Sequence, residues 1–464
     1  MQTSDYEIYE KSINKTGSLT VFMAKEKSGE TVIFIEPGDN TDSGFTGTKT
    51  ESGKLRVPLT HENAEVLRKL FPFTKPVRGL GKPQSFGLGD RLGIATPGHI
   101  DLFEKYNVFP IFAQQSIREL NLTNRTYADV LDAASFAVYR EGYKKGFGAD
   151  GDHLKTAEDV EYALSLGFTM ITLDCSEHIK NNPDISIPLD KKYAEKYLGK
   201  QFDIESGISL TFFEDELKQC IGIYGGAIVH VQNIYNNFFA SGKYDADFEI
   251  SIDETSFTTT PLQHFFVARE LLDAGIKFAT IAPRFCGEFQ KGIDYKGDIK
   301  QFDAEIKVHA AISRHFGYKL SIHSGSDKFS VFPSIGRETK GSWHVKTAGT
   351  NWLEAMSVIA KTDPALYREI HVFALSAFNE AIKYYHVTTD LTKIPDVNTL
   401  KDTELPELFN NNDARQLIHI TYGLILGVYK DRLYKLWREN ESVYREYLKK
   451  HIGKHLRLLE VNHG

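Results

Sequence analysis

The chain has 464 residues, 41% hydrophobic and 25% charged, with a formal net charge of -7, which excludes disordered and fibrous classes. The acidic balance and the lack of a long basic run oppose counterion-driven nucleic-acid binding, so a small ligand is the expected partner. No apolar run is long enough to span a bilayer and the start MQTSDYEIYEKSINKTG has no secretory pattern, so no membrane partner and a cytoplasmic location are expected.

In chain order, residues 1–83 read as a small α/β cap: SLTVFMA and TVIFIEP are β-branched runs split by the turn KEKSGE, and HENAEVLRKLF is helical. From residue 84 to 350, short apolar segments ending in polar clusters alternate with helical stretches, the pattern of a (β/α)8 TIM-like barrel in the α/β class. Eight strand ends are predicted: FGLGDRLGI, VFPIFAQQS, GFGADGDH, TMITLDCSEH, FEISIDET, FATIAPRF, YKLSIHSGSDK and SWHVKTAGT. YADVLDAASFAVYREGY and TPLQHFFVARELLDAG supply helices between them. Residues 180–245 exceed one crossover and predict an insertion with its own helix around IGIYGGAIVHVQNIYNNFF. Residues 351–464 form a helical extension, a cap or a homo-oligomer surface, with a helical stretch running from Asp413 to the end. Cys175, Cys220 and Cys286 are odd in number and far apart, which predicts reduced, packing cysteines.

Barrel enzymes work at the C-terminal ends of their strands, where the charged residues of this sequence gather. Asp152 and His153 close GFGADGDH, which is either a turn or a strand delivering a carboxylate and an imidazole to the mouth. Asp174 and His178, one helical turn apart, form a ligand pair or a capped helix start. Asp253 and Glu254 end FEISIDET; strand alternation lets only one face the mouth, and Glu254 is the expected inward acid. His323 and His344 follow two further strands. Three histidines with nearby carboxylates suit a first-row divalent cation (Zn, Mn, Fe, Co or Ni) better than the all-oxygen preference of calcium. Arg284, Lys328 and Lys346 are expected to hold a substrate carboxylate, and Gln115 is assigned with them to substrate binding. GLGDRLG is too widely spaced for a dinucleotide fingerprint, and phosphate-loop and nucleophile-elbow motifs are missing.

The blocks FGLGDRLGIATPGH, FPIFAQQSIRE, GFGADGDH, SIDET, GIDYKGD, SIHSGSDKFSVFP, HVKTAGT and RQLIHITYG resemble those of the tagaturonate epimerase family, in order from about residue 60 to the C-terminus. The resemblance implies a metal-dependent interconversion of D-tagaturonate and D-fructuronate, with Asp152 as proton acceptor and His153 as metal ligand. Glu254 is placed as proton donor, His323 and His344 complete the expected metal site, and Asp174 competes as a ligand. A keto sugar acid is then the small-molecule partner, and hexulose 4-epimerisation of fructose and tagatose stays open. So do a metal-dependent aldolase or ketose–aldose isomerase, and a non-catalytic sugar-binding protein. The inverted carbon, C4, is β to both the C2 ketone and the C6 carboxylate, so simple enolisation cannot invert it. Hydride transfer would call for a nicotinamide that the motifs do not announce, which favours retro-aldol cleavage and re-addition.

Overall fold

The β-branched runs near the N-terminus pair antiparallel across the KEKSGE turn, Leu19–Glu26 against Thr31–Glu36. They form the centre of a seven-stranded sheet. The computed structural model describes residues 2–3, 6–37, 43–186 and 188–461. One face of this sheet buries Val21, Met23, Ile33 and Ile35 against the helix His61–Leu70 and against Phe136 and Tyr139 of the barrel wall. Thr60 caps that helix by accepting from the Asn63 amide.

Eight parallel strands then close into a barrel: β1 Gln84–Leu88, β2 Phe109–Ser116, β3 Gly148–Leu154, β4 Met170–Asp174, β5 Asp247–Ser251, β6 Thr280–Ala282, β7 Lys319–Ile322 and β8 Trp343–Thr347. Each pairs with its sequence neighbours, and β8 returns to β1. All eight predicted strand ends are therefore strands. The predicted helices form as well: Tyr127–Glu141 and Pro261–Asp273, each opened by a threonine capping box. The insertion between β4 and β5 holds the helix Lys191–Tyr197, the hairpin Gln201–Glu205 with Ile208–Thr211, and the crossover helix Glu214–Phe238.

The strands do not bury apolar side chains on both faces. Phe86, Ile171, Leu173, Phe248, Ile250, Leu320 and Val345 pack outward into the main core with the helices. The alternate set, including Asp150, Thr172, Glu249, Thr280, Ser321 and Lys346, lines the barrel interior and is polar. An apolar plug of Leu80, Phe109, Ile111 and Met170 closes the barrel at the N-terminal ends of the strands.

After β8 the helices Thr350–Thr362, Pro364–Ala381, Asn412–Ile420, Tyr422–Glu439 and Glu441–Leu458 build a second core around Trp352 and Trp437. Residues 462–464 of the predicted C-terminal helical stretch lie outside the described residues. Gly98 permits the last helix to approach the barrel wall, because a Cβ there would lie 2.8 Å from Leu448 Cδ1. Among the described residues no helix is long and apolar enough to cross a membrane.

Candidate active site

Lys346 projects from β8 into the barrel and meets three carboxylates, with Nζ 2.7 Å from Asp150, 2.5 Å from Asp152 and 3.2 Å from Glu249. It also donates to Thr172 Oγ1 at 2.6 Å. An unpaired lysine here would carry a heavy desolvation cost, so the acids and the lysine hold each other in place. Burial raises the Asp150 pKa, Lys346 opposes, and the neighbouring acids leave it at about 6. Burial would also raise Asp152, but Lys346 and His153 outweigh it and hold this carboxylate well below its usual range.

Consecutive strand residues face opposite sides, so Asp152 and His153 cannot both enter the mouth from a regular strand. β3 solves this with an irregularity between Gly151 and Leu154, where His153 adopts φ 55. His153 Nδ1 then lies 2.7 Å from Asp152 Oδ1, and its buried Nε2 has no hydrogen-bond partner among the described residues. That nitrogen is 4.0 Å from Asp253 Oδ1 and 4.0 Å from Glu254 Oε1.

His323, just past β7, bonds Glu249 Oε1 through Nε2 at 2.8 Å and Asp253 Oδ1 through Nδ1 at 3.0 Å. Burial lowers its pKa, but the two carboxylates outweigh this and raise it to about 10. His153, Asp253 and His323 offer ligand atoms all within 4.8 Å of one another. Each histidine has its remaining nitrogen on a carboxylate, the outer-sphere arrangement that orients imidazole ligands. The donor set therefore fits a first-row divalent cation.

The other sequence expectations separate. His344 does not join His153 and His323: it lies two residues before Lys346 inside the barrel, with Nδ1 3.0 Å from Ser85 Oγ. Burial lowers its pKa to about 3. Asp174 accepts from the Ser176 amide at 2.8 Å and His178 stacks on His230. The short helix Ser176–His178 starts at Cys175 with no side-chain cap, so the pair forms neither a capped helix start nor part of the His153 group. Glu254 lines the pocket with a half-exposed side chain, while Asp253 is the more buried of the two. β5 has already ended at Ser251, so alternation no longer selects between them. Gln115 pairs with Gly151, whose Cβ direction meets Ala163 and Ile171 of the outer layer; Gln114 lines the pocket instead.

The expected carboxylate-binding cations are mostly engaged elsewhere. Lys346 belongs to the buried acid cluster. Lys328 spends its three protons on the carbonyls of Gln290, Ile293 and Ser326 at 2.6–2.8 Å, and burial lowers its pKa to about 7. Arg284 donates to the Thr255 carbonyl at the edge of an outer cavity of about 570 Å³. Two cations that the sequence reading passed over face the mouth: Arg118, just after β2, and Lys291, in the loop after β6. Their only sequence signal is position after predicted strand ends, which many charged residues share.

A polar-lined barrel with paired acids and oriented imidazoles at its C-terminal mouth is the architecture of a (β/α)8 enzyme that moves protons on a small substrate. The tagaturonate epimerase family model matches residues 9–459, and the chain belongs to that family. It is an epimerase, in the isomerase class. A tagaturonate/fructuronate epimerase of Thermotoga maritima is 46% identical over 472 residues, covering 98% of this chain and 97% of that protein. The native crystal structure of fructuronate-tagaturonate epimerase UxaE from Cohnella laeviribosi is 47% identical and superposes with a TM-score of 0.95, covering 98% of this chain and 97% of that one. Its complex with two glycerol molecules is 46% identical, with the same TM-score and coverage.

Proposed function

We propose that this chain interconverts D-tagaturonate and D-fructuronate by inverting C4 of the ketose, with a divalent metal ion held by His153, Asp253 and His323. One observation carries the metal assignment: Asp152 and Glu249 each occupy one nitrogen of a histidine, leaving His153 Nε2 and His323 Nδ1 to face Asp253. His153, Asp253 and His323 would hold the ion, which would supply Lewis-acid polarisation of a substrate oxygen there.

Asp152 begins the cycle ionised, held so by Lys346 and His153. A carboxylate this acidic is a weak base toward a free alcohol, so it accepts the C4 hydroxyl proton as the C3–C4 bond breaks. The bonding pair moves toward the C2 oxygen, giving a three-carbon enolate and a three-carbon aldehyde that carries the carboxylate. The aldehyde turns over and the bond re-forms on its other face. Glu254, across His153 from Asp152, manages the opposite proton transfer. Positioned acid–base groups supply about 10²–10⁴-fold each.

The test is product analysis of metal-stripped and metal-restored protein with D-tagaturonate, D-fructuronate, fructose and tagatose. Interconversion of the two uronates that disappears with the metal and returns with it is expected, with a three-carbon aldehyde trappable during turnover. Metal-independent epimerisation would remove the ion from the reading, and transfer of C4 label to a bound nicotinamide would remove the retro-aldol route. Net accumulation of an aldose would favour a ketose–aldose isomerase instead.

A further inference from the structure

We infer that Arg118 and Lys291 form the clamp that holds the substrate's C6 carboxylate, and that this clamp retains the aldehyde fragment while it turns over. The inference rests on the uronate reading proposed above. The two cations come from different elements, the helix Ile117–Thr123 and the loop after β6, and both line the pocket that also contains Asp152, His153 and His323. Both also line the outer cavity that opens from it, so they mark the boundary between the reacting centre and solvent.

Neither has an ion-pair partner within 4.0 Å among the described residues. Lys291 Nζ donates to Ser324 Oγ at 3.1 Å. The Arg118 guanidinium stacks over Tyr385 at 4.9 Å, and its buried Nε has no hydrogen-bond partner among the described residues. The nearby Glu119 is already bound to Arg91 at 2.7 Å. Burial and then the Arg118 charge pull the Lys291 pKa down, against the Glu254 and Glu119 carboxylates, neither of which comes within ion-pair distance of Lys291. An incoming carboxylate relieves that repulsion, Arg by a planar fork and Lys as a point charge.

Cleavage between C3 and C4 leaves the carboxylate on the aldehyde fragment. Its C4 carbonyl must present its second face without leaving, and a charge-paired anchor two bonds away permits rotation while preventing escape. An epimerase needs this retention, whereas an aldolase releases its fragments.

The test compares D-tagaturonate with D-tagatose, which differ only at C6, as ligands of the metal-loaded full chain carrying Lys291→Met or Arg118→Gln. Each variant should weaken D-tagaturonate by about 10–100-fold, the loss of a charged hydrogen bond, and leave D-tagatose binding within about twofold. Lys291→Arg should restore most of the preference, which a merely structural role would not predict. Unchanged discrimination between the two ligands, or equal weakening of both, overturns the clamp. Discrimination lost together with three-carbon fragments released during turnover supports both the clamp and the retro-aldol route. Discrimination lost with intact epimer and no fragments supports the clamp and counts against that route. Failure of the wild-type chain to bind D-tagaturonate more tightly than D-tagatose overturns the clamp and the uronate reading together.

Discussion

Asp327, His451 and His455 stand as close together as Asp253, His153 and His323, and both groups satisfy the spacing of a metal site. Their bonding differs. In the first group every donor is committed: Asp327 is bonded by His451 and paired with Arg415 at 2.9 Å, and His451 Nδ1 meets Glu354 at 2.9 Å. His455 accepts the Asp327 amide at 3.0 Å and donates to the His451 carbonyl at 2.9 Å. This network fastens the last helix to the loop after β7, and the Arg415 guanidinium already sits against Asp327 Oδ2, where a cation would have to enter. The mouth cluster keeps an orphaned His153 Nε2. Composition and proximity therefore do not distinguish a binding site from a structural lock, and neither does an orphaned nitrogen alone, since those of His419 occur outside both groups; an orphaned nitrogen that faces the other ligand atoms does.

The contrast breaks if mouth residues behave as structural ones. Asp152→Asn preserves size and can still accept from His153, so turnover should fall by roughly 10²–10⁴-fold while metal content at saturating ion stays near wild type. Steady-state kinetics with metal analysis checks this, and loss of the metal would make Asp152 a ligand-shell residue rather than the base. Arg415→Met should do the reverse, costing about 3–5 kcal/mol of stability by leaving Asp327 buried with one partner fewer, without changing bound metal in the folded protein. Urea midpoints and metal content measure both sides.

The lock should also carry its own pH dependence. Burial lowers the His451 pKa, but Glu354 and Asp327 outweigh it and push it up to about 9. A pKa raised above the unfolded value contributes stability that is fully present below about pH 6.5 and is lost as pH rises through about 9, by about 3 kcal/mol. Urea titrations at both ends of that window should show the loss in wild type and little of it in His451→Gln; parallel curves would assign the effect to another group. The smallest change is expected at Lys328→Met, which strips three buried carbonyls of their donor and should cost about 1–3 kcal/mol. Weaker uronate binding in that variant, beyond what its stability explains, would return Lys328 to the substrate site.

Strand ends such as TMITLD and SWHVKT were legible because apolar positions facing the helices must recur and polar clusters must follow them. That logic also located Asp152, His153 and His323. It stopped at the choice between Asp253 and His344, since the first lies on chain beyond the end of β5 and the second is separated from the mouth by the depth of one strand residue pair. It also misassigned Gln115, because the phase of alternation on β2 is set by its pairing with β3 and not by its own composition. The fate of each cation was equally hidden. Lys328, Lys346, Arg118 and Lys291 are all cations at or after predicted strand ends, and only closure of the barrel brings acids or carbonyls to the first two while leaving the others facing the pocket. Periodic burial is a local property that a sequence carries in its pattern, whereas the pairing of buried charge depends on which distant residues share a cavity, and that is decided by the tertiary fold.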